Sequence, residues 1–150
     1  THANEISVLG CYIYVMYAIE LLEGKSKDEA YKYIQEKDYS VFFSENAILR
    51  YSRIIKEKIY EYDLQKISSS GYVGATLEAT LGVIHKTNSY NESIIGAINL
   101  GDDTDTVGAC VGGLAGIIYD EESINQEWKE KLRKENYIEE LCNNFDRFLN

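Results

Sequence analysis

The stretch "NLGDDTDTVG", residues 99–108, sets Asp102, Asp103 and Asp105 beside Thr104 and Thr106, between two glycines. Carboxylates this close repel one another unless water, protons or a cation separates them. As a hard-metal site, Asp103 and Asp105 direct oxygens toward one point from the start of a helix, and the Thr106 hydroxyl adds a neutral ligand. Magnesium, manganese or calcium suits such oxygens better than zinc or copper. The positive end of the helix dipole favours the same concentration of negative charge.

A calcium loop, a phosphohydrolase nucleophile and a plain helix cap compete with that metal site. An EF-hand starting at Asp103 would put Val107 at the fifth position and Leu114 at the twelfth, where oxygen ligands belong, and starting at Asp102 puts Gly113 at the twelfth; that reading fails. "DTDTV", Asp103 to Val107, satisfies the DxDx[TV] pattern of haloacid-dehalogenase-type phosphohydrolases, whose first aspartate attacks phosphorus. That pattern requires a preceding buried strand in an α/β sheet, which "SIIGAINLG" does not resemble. In the plainest alternative, Asp103 or Thr104 caps a helix and the remaining acids are solvated.

Gly108, Gly112 and Gly116 recur at intervals of four behind the aspartates and share one helix face. A face of that kind lets a neighbouring helix approach closely, so the cluster is expected at the end of a buried, tightly packed rod.

The elements that must position these residues read as helices. Proline is absent, which removes the strongest helix breaker. Dense apolar residues from Glu5 to Leu22 predict a central, mostly buried helix ending at Gly24. Ser26 with Glu29 three residues on predicts a capped second helix. Ile48, Tyr51, Ile55 and Ile59 give helical periodicity over residues 44–60, and Val73, Leu77, Leu81 and Ile84 do so after the loop "SSSGY" at 68–72. A short helix from about Asn91 should halt at Gly101, another should run from Asp103 or Thr104 to Tyr119, and two more are expected near 127–134 and 137–149. Strand signals are weak and no linker divides the chain, so the prediction is one all-α domain.

The net charge of −10 disfavours generic binding to nucleic acid or anionic lipid. The apolar run Val107 to Tyr119 is shorter than the roughly 20 residues needed to cross a bilayer, so no membrane association is expected. Cys11, Cys110 and Cys142 are odd in number and widely spaced; they read as small buried hydrophobes in a reducing, cytoplasmic compartment. His85 reads as a cation at a helix C-terminus, and Trp128 as peripheral core.

Taken together, "NLGDDTDTVGACVGGLAGIIYD", "SSGYVGATLEATLGVIHKTNSYNESI" and the leading Thr1-His2 resemble, in the same order, signatures of the ADP-ribosylglycohydrolase family. The resemblance spans residues 1 to about 119. It implies a multi-helix orthogonal bundle that binds two magnesium ions, with manganese as an alternative, and hydrolyses the glycosidic bond between ADP-ribose and a protein side chain or other acceptor. By this resemblance Asp103, Asp105 and Thr106 match the family's C-terminal metal ligands, His2 matches a histidine lining the ADP-ribose pocket, and Tyr72 matches a tyrosine beside the nucleotide sugar. Asp102 stands where many relatives carry glycine; its added charge is expected to tighten cation binding or to support the ligands.

Family members also carry a preceding half with a Thr-Asp-Asp metal motif, which these 150 residues lack. The chain is therefore expected to be the C-terminal part of a single domain, a fragment inactive by itself. Its internal packing faces should be covered by a complementary N-terminal half or by self-association. A catalytically inactive relative that binds ADP-ribose, or serves structurally, is the remaining alternative.

Overall fold

The computed structural model describes residues 3–149, which form an all-α bundle; among them no strand occurs. The absence of a sheet removes the setting that the phosphohydrolase pattern requires.

Helix α1 (Glu5–Leu22) begins at Asn4, whose side chain accepts from the Ile6 N–H at 3.0 Å. It ends where Gly24 takes φ +84°, with the Lys25 N–H reaching back to the Glu20 carbonyl. Helix α2 (Lys27–Glu36) carries the full reciprocal cap: the Ser26 hydroxyl accepts from the Glu29 N–H, and the Glu29 carboxylate accepts from the Ser26 N–H at 2.9 Å.

Residues 44–60 depart from the single helix their periodicity suggests. They form α3 (Glu45–Leu49), α4 (Ser52–Ile55) and a 3₁₀ turn at Ile59–Glu61. Three different tethers bend the segment. The Glu5 carboxylate accepts from Ser44, the Tyr51 hydroxyl donates to the Ile6 carbonyl at 2.6 Å, and the Tyr31 hydroxyl both donates to the Glu57 carbonyl and accepts from the Ile59 N–H.

Helix α5 (Val73–Lys86) is the hub, buried at every position from Gly74 to Ile84. Gly74, Ala75, Ala79 and Gly82 keep it thin enough for neighbours on all sides. Helices α6 (Tyr90–Ile98) and α7 (Thr104–Tyr119) fold back on each other across it. The close approach predicted for the α7 glycines occurs at Gly112, where an added Cβ would lie 3.3 Å from Ile94, and at Gly113, which the Tyr14 hydroxyl covers; nothing lies within 4 Å of such a Cβ at Gly108 or Gly116. Beyond α7, α8 (Gln126–Lys131) and α9 (Glu135–Leu149) complete the chain, and Trp128 is half-buried as expected.

Three expectations are corrected. Helix α1 is buried on one side only: Leu9, Ile13, Tyr17 and Leu21 enter the core, while Val8, Cys11, Val15, Ile19 and Leu22 form an exposed apolar strip. By length and composition α1 is also long and apolar enough to cross a membrane, which the shorter run 107–119 is not.

The thiols are not core hydrophobes. Cys11 lies on the outward strip of α1, Cys142 lies on α9, and both are exposed, with Cys110 half-buried.

Nor is His85 a cation at the end of α5. Its side chain is only 3% exposed, stacked on Tyr60 at 4.4 Å, and desolvation pulls its pKa from 6.5 down to about 4, so it is neutral at pH 7. The Lys27 ammonium takes that position instead, donating to the Ile84 and Thr87 carbonyls at 3.1 and 2.8 Å.

Candidate functional site

The sharp turn at Gly101 and Asp102 places Asp103 where it can meet the loop before α5. Both turn residues have positive φ, +84° and +52°, the left-handed backbone that glycine adopts freely and aspartate tolerates. The chain then enters α7 with Asp103 at the N-cap position.

Asp103 does not cap the helix through its side chain. Its Oδ1 accepts instead from the Thr106 hydroxyl at 2.8 Å, and its N–H donates to the Ser69 carbonyl at 3.1 Å. The 68–72 loop is thereby clamped onto the first turn of α7. Ser69 reinforces the clamp, donating from its hydroxyl to the Leu100 carbonyl at 3.3 Å. Gly71 lies against the Asp103 carboxylate so closely that a Cβ there would sit 3.0 Å from Oδ2.

Asp105, one residue beyond Thr104, is exposed. Its carboxyl is held below the ordinary carboxylate range, first by hydrogen bonding with Asp103, then by the backbone N–H groups of Thr106 and of Asp105 itself. The Asp103, Asp105 and Thr106 oxygens thus gather at one helix end. In kind, this set of carboxylates and a hydroxyl fits a hard divalent cation. In number it is short: three side chains leave about half of an octahedral magnesium shell to other donors. Among the described residues no group of three or more His, Cys, Asp or Glu side chains gathers around a cation position.

Tyr72, 48% exposed, precedes α5 at its N-cap position and folds its ring over Gly74, where an added Cβ would meet the ring. Its carbonyl accepts from the Thr76 N–H at 3.0 Å, which fixes the loop against α5. The structure therefore brings the three α7 residues together beside Gly71, whereas the Tyr72 ring lies over Gly74; His2 lies outside the described residues.

Sequence reasoning did not single out Ser69 or Gly71 as members of this site. The signal that could have found them is the "SSSGY" loop itself, where small residues permit the approach of an aspartate. Also unforeseen is a cavity of about 350 Å³ between α1, α5 and α7, lined in part by Gly10, Cys11, Tyr14, Val15, Thr80 and Cys110, which reaches Thr106. Burial raises the Tyr14 hydroxyl to about 12, and desolvation, followed by the neighbouring Cys11, pushes the Cys110 thiol up.

The model for the family described as ADP-ribosylglycohydrolase matches residues 1–149. An ADP-ribosylarginine hydrolase Tri1 of Serratia proteamaculans is 31% identical over 145 residues, covering 95% of this chain and 36% of the relative. The protein of the same name from Pseudomonas putida is 42% identical over 83 residues, covering 55% of this chain and 22% of the relative. An ADP-ribosyl-[dinitrogen reductase] glycohydrolase of Rhodospirillum rubrum is 33% identical over 73 residues, covering 49% of this chain and 25% of its own length. The chain thus spans about a third or less of the curated relatives it matches. With a match running nearly end to end and an all-α bundle to go with it, the chain belongs to the ADP-ribosylglycohydrolase family.

Proposed function

We propose that this chain supplies part of the site of an enzyme that hydrolyses the glycosidic bond between ADP-ribose and an acceptor, with arginine side chains as the acceptor class. The relative matched over 95% of the chain is named for ADP-ribosylarginine, which favours that acceptor. The carrying observation is the convergence of Asp103, Asp105 and Thr106 on the N-terminal end of α7, beside Gly71.

In this reading the three α7 residues hold magnesium in a dinuclear site, and Tyr72 and His2 contact the ADP-ribose. When bound, magnesium held by Asp103, Asp105 and Thr106 would supply charge neutralisation and Lewis acidity toward hydroxyl and water oxygens. The protein's own contribution is positional. Ser69 anchors the Asp103 backbone, the Thr106 hydroxyl steers its carboxylate, and Gly71 leaves the space that carboxylate occupies. The helix dipole stabilises the anionic cluster while Asp105 stays ionised.

The chain is inactive by itself in this proposal. The remaining ligands, a Thr-Asp-Asp motif, and the acidic group that handles the proton belong to a complementary segment. Manganese titration followed by electron paramagnetic resonance tests the metal assignment, and release of ADP-ribose from ADP-ribosylarginine, with and without a Thr-Asp-Asp-bearing segment of a relative, tests the reaction. Manganese binding that Asp103→Ala and Asp105→Ala abolish, with turnover only in the complemented sample, supports the reading. Manganese binding that survives both substitutions overturns it.

A further inference from the structure

The 68–72 loop has little of its own to hold its shape. Three serines and a glycine precede Tyr72, none with an apolar side chain to bury, and glycine loses more freedom on ordering than any other residue. Its internal contacts run through Ser68, whose hydroxyl accepts from the Ser70 N–H at 3.4 Å and donates to the Ser70 hydroxyl at 3.2 Å; Ser68 itself is exposed. Yet both neighbours of Ser70 set Asp103. The Ser69 carbonyl accepts from the Asp103 N–H, and Gly71 lies against the Asp103 carboxylate. The placement of the Ser70 peptide therefore governs where that carboxylate can point.

From the α7 side the loop is held by the Asp103 and Ser69 hydrogen bonds already described. From the α5 side the tether is Thr76. Its hydroxyl is shared between two carbonyls, Ser70 at 3.4 Å and Tyr72 at 3.3 Å. A threonine in a helix commonly bonds back to the carbonyl four residues earlier, and Tyr72 is that partner. Ser70 lies outside α5, so the second arm does something a helix has no need of: it joins the helix to the loop.

The support behind this tether is rigid. Thr76 is 8% exposed, which leaves little water to replace a lost arm. The buried Thr80 hydroxyl donates to the Thr76 carbonyl at 2.7 Å and fixes it from one turn further along the hub helix. Thr76 also lines the cavity that reaches Gly71 and Thr106, so it stands where α5, the loop and α7 meet.

We propose that Thr76 is a positioning residue for Asp103. On the hydrolase reading given above, on which this role rests, its hydroxyl holds the Ser70 carbonyl and so keeps Ser69 and Gly71 where they aim the Asp103 carboxylate at a divalent cation. Thr76 acts through the loop and is not itself a ligand. The buried hub helix thereby serves as the reference frame for an exposed site.

Thr76→Val keeps the branched shape and removes the hydroxyl, whereas Thr76→Ser keeps the hydroxyl. Amide hydrogen exchange followed by nuclear magnetic resonance, without metal, reads the loop: the Asp103 N–H should exchange about tenfold faster in Thr76→Val, while the Leu81 amide in the middle of α5 keeps its protection. Manganese titration reads the site: affinity should fall about tenfold in Thr76→Val and return to within about twofold of the parent in Thr76→Ser. Thr76→Cys, a smaller change with a weaker donor, should fall between them and keeps the comparison open if the valine variant loosens α5 as a whole. A threonine that merely completes its own helix would leave both readouts unmoved. An Asp103 amide indifferent to loss of the hydroxyl overturns the proposal. So does unchanged manganese affinity in Thr76→Val where Asp103→Ala abolishes binding, and the hydrolase reading then stands without Thr76. Absent manganese binding, or binding that ignores Asp103→Ala, overturns both.

Discussion

The Tyr17 hydroxyl lies 3.1 Å from His85 Nε2, joining α1 to the end of α5 inside a cage of aromatic rings. With Nδ1 facing Asp28 Oδ1 at 3.4 Å, the arrangement suits a neutral ring with its proton on Nδ1 and Nε2 accepting from Tyr17. Burial is the largest influence and favours neutrality; Asp28 opposes it weakly from a solvated position, while Lys27 adds to it.

A definite pH dependence of stability is expected from this. The folded pKa of about 4 lies below the ordinary 6.5, so between these values the unfolded chain binds more protons. The stabilisation is fully present above about pH 6.5, falls as pH drops through that window, and levels off below about 4. Its full size is about 3 kcal/mol. Urea unfolding at pH 4.5 and 7.5 should show a smaller difference for His85→Phe, which keeps the stacking on Tyr60 and cannot charge, than for the parent chain. Equal pH dependences would show that His85 is not the group responsible.

The Arg53 guanidinium pairs with the Glu78 carboxylate at 2.9 Å and lies 4.6 Å from the Tyr62 ring centre. Glu78 is on the hub helix, and desolvation raises its pKa although Arg53 acts against that. Arg53→Met leaves an uncompensated, largely buried carboxylate and should cost about 3 kcal/mol. Replacing both residues with methionine should recover most of that loss. Chemical denaturation of the two single variants and the double variant measures the coupling; additive losses would mean that the pair contributes nothing as a pair.

Such pairs were not legible in advance, whereas several helices were. The Ser26–Glu29 cap and the apolar spacing of Val73, Leu77, Leu81 and Ile84 are local signals, and α2 and α5 begin and end close to where these place them. The segment 44–60 misled because Tyr31, Tyr51 and Glu5 bend it through contacts distant in sequence. Periodicity likewise shows that a side of α1 is apolar without showing what covers it, so Val15 and Cys11 looked like core residues. At the site, the aspartate spacing drew attention to Asp103 and Asp105, but the contribution of Ser69 is a backbone carbonyl, which no residue type announces.

Lys27 provides a third test. Its ammonium donates to the Ile84 and Thr87 carbonyls at the end of α5 and to the Tyr119 hydroxyl at 3.3 Å, while Tyr119 itself donates to the Thr87 carbonyl at 2.8 Å. Lys27→Met retains the aliphatic stem and removes the donors, leaving carbonyls in a half-buried setting; the expected loss is about 2 kcal/mol. Tyr119→Phe should cost about 1 kcal/mol. Because both donors serve Thr87, the double variant should depart from additivity. A thermal-unfolding cycle reads this directly, and strict additivity would refute a shared network.

Gly71→Ala separates a ligand role for Asp103 from a merely structural one. The added methyl would lie 3.0 Å from Asp103 Oδ2, too close for the carboxylate to stay where it is. Both positions are near the surface, so the cost to folding should stay below about 1 kcal/mol. If Asp103 holds a divalent ion, displacing its carboxylate should weaken manganese binding about tenfold, the size of effect seen when a ligand's supporting contact is disturbed. Asp103→Ala should abolish that binding, and Thr106→Val, which removes the 2.8 Å hydrogen bond to Asp103, should produce an intermediate loss. Manganese affinity unchanged in Gly71→Ala, at unchanged stability, would mean that the Asp103 carboxylate faces the loop without serving a metal.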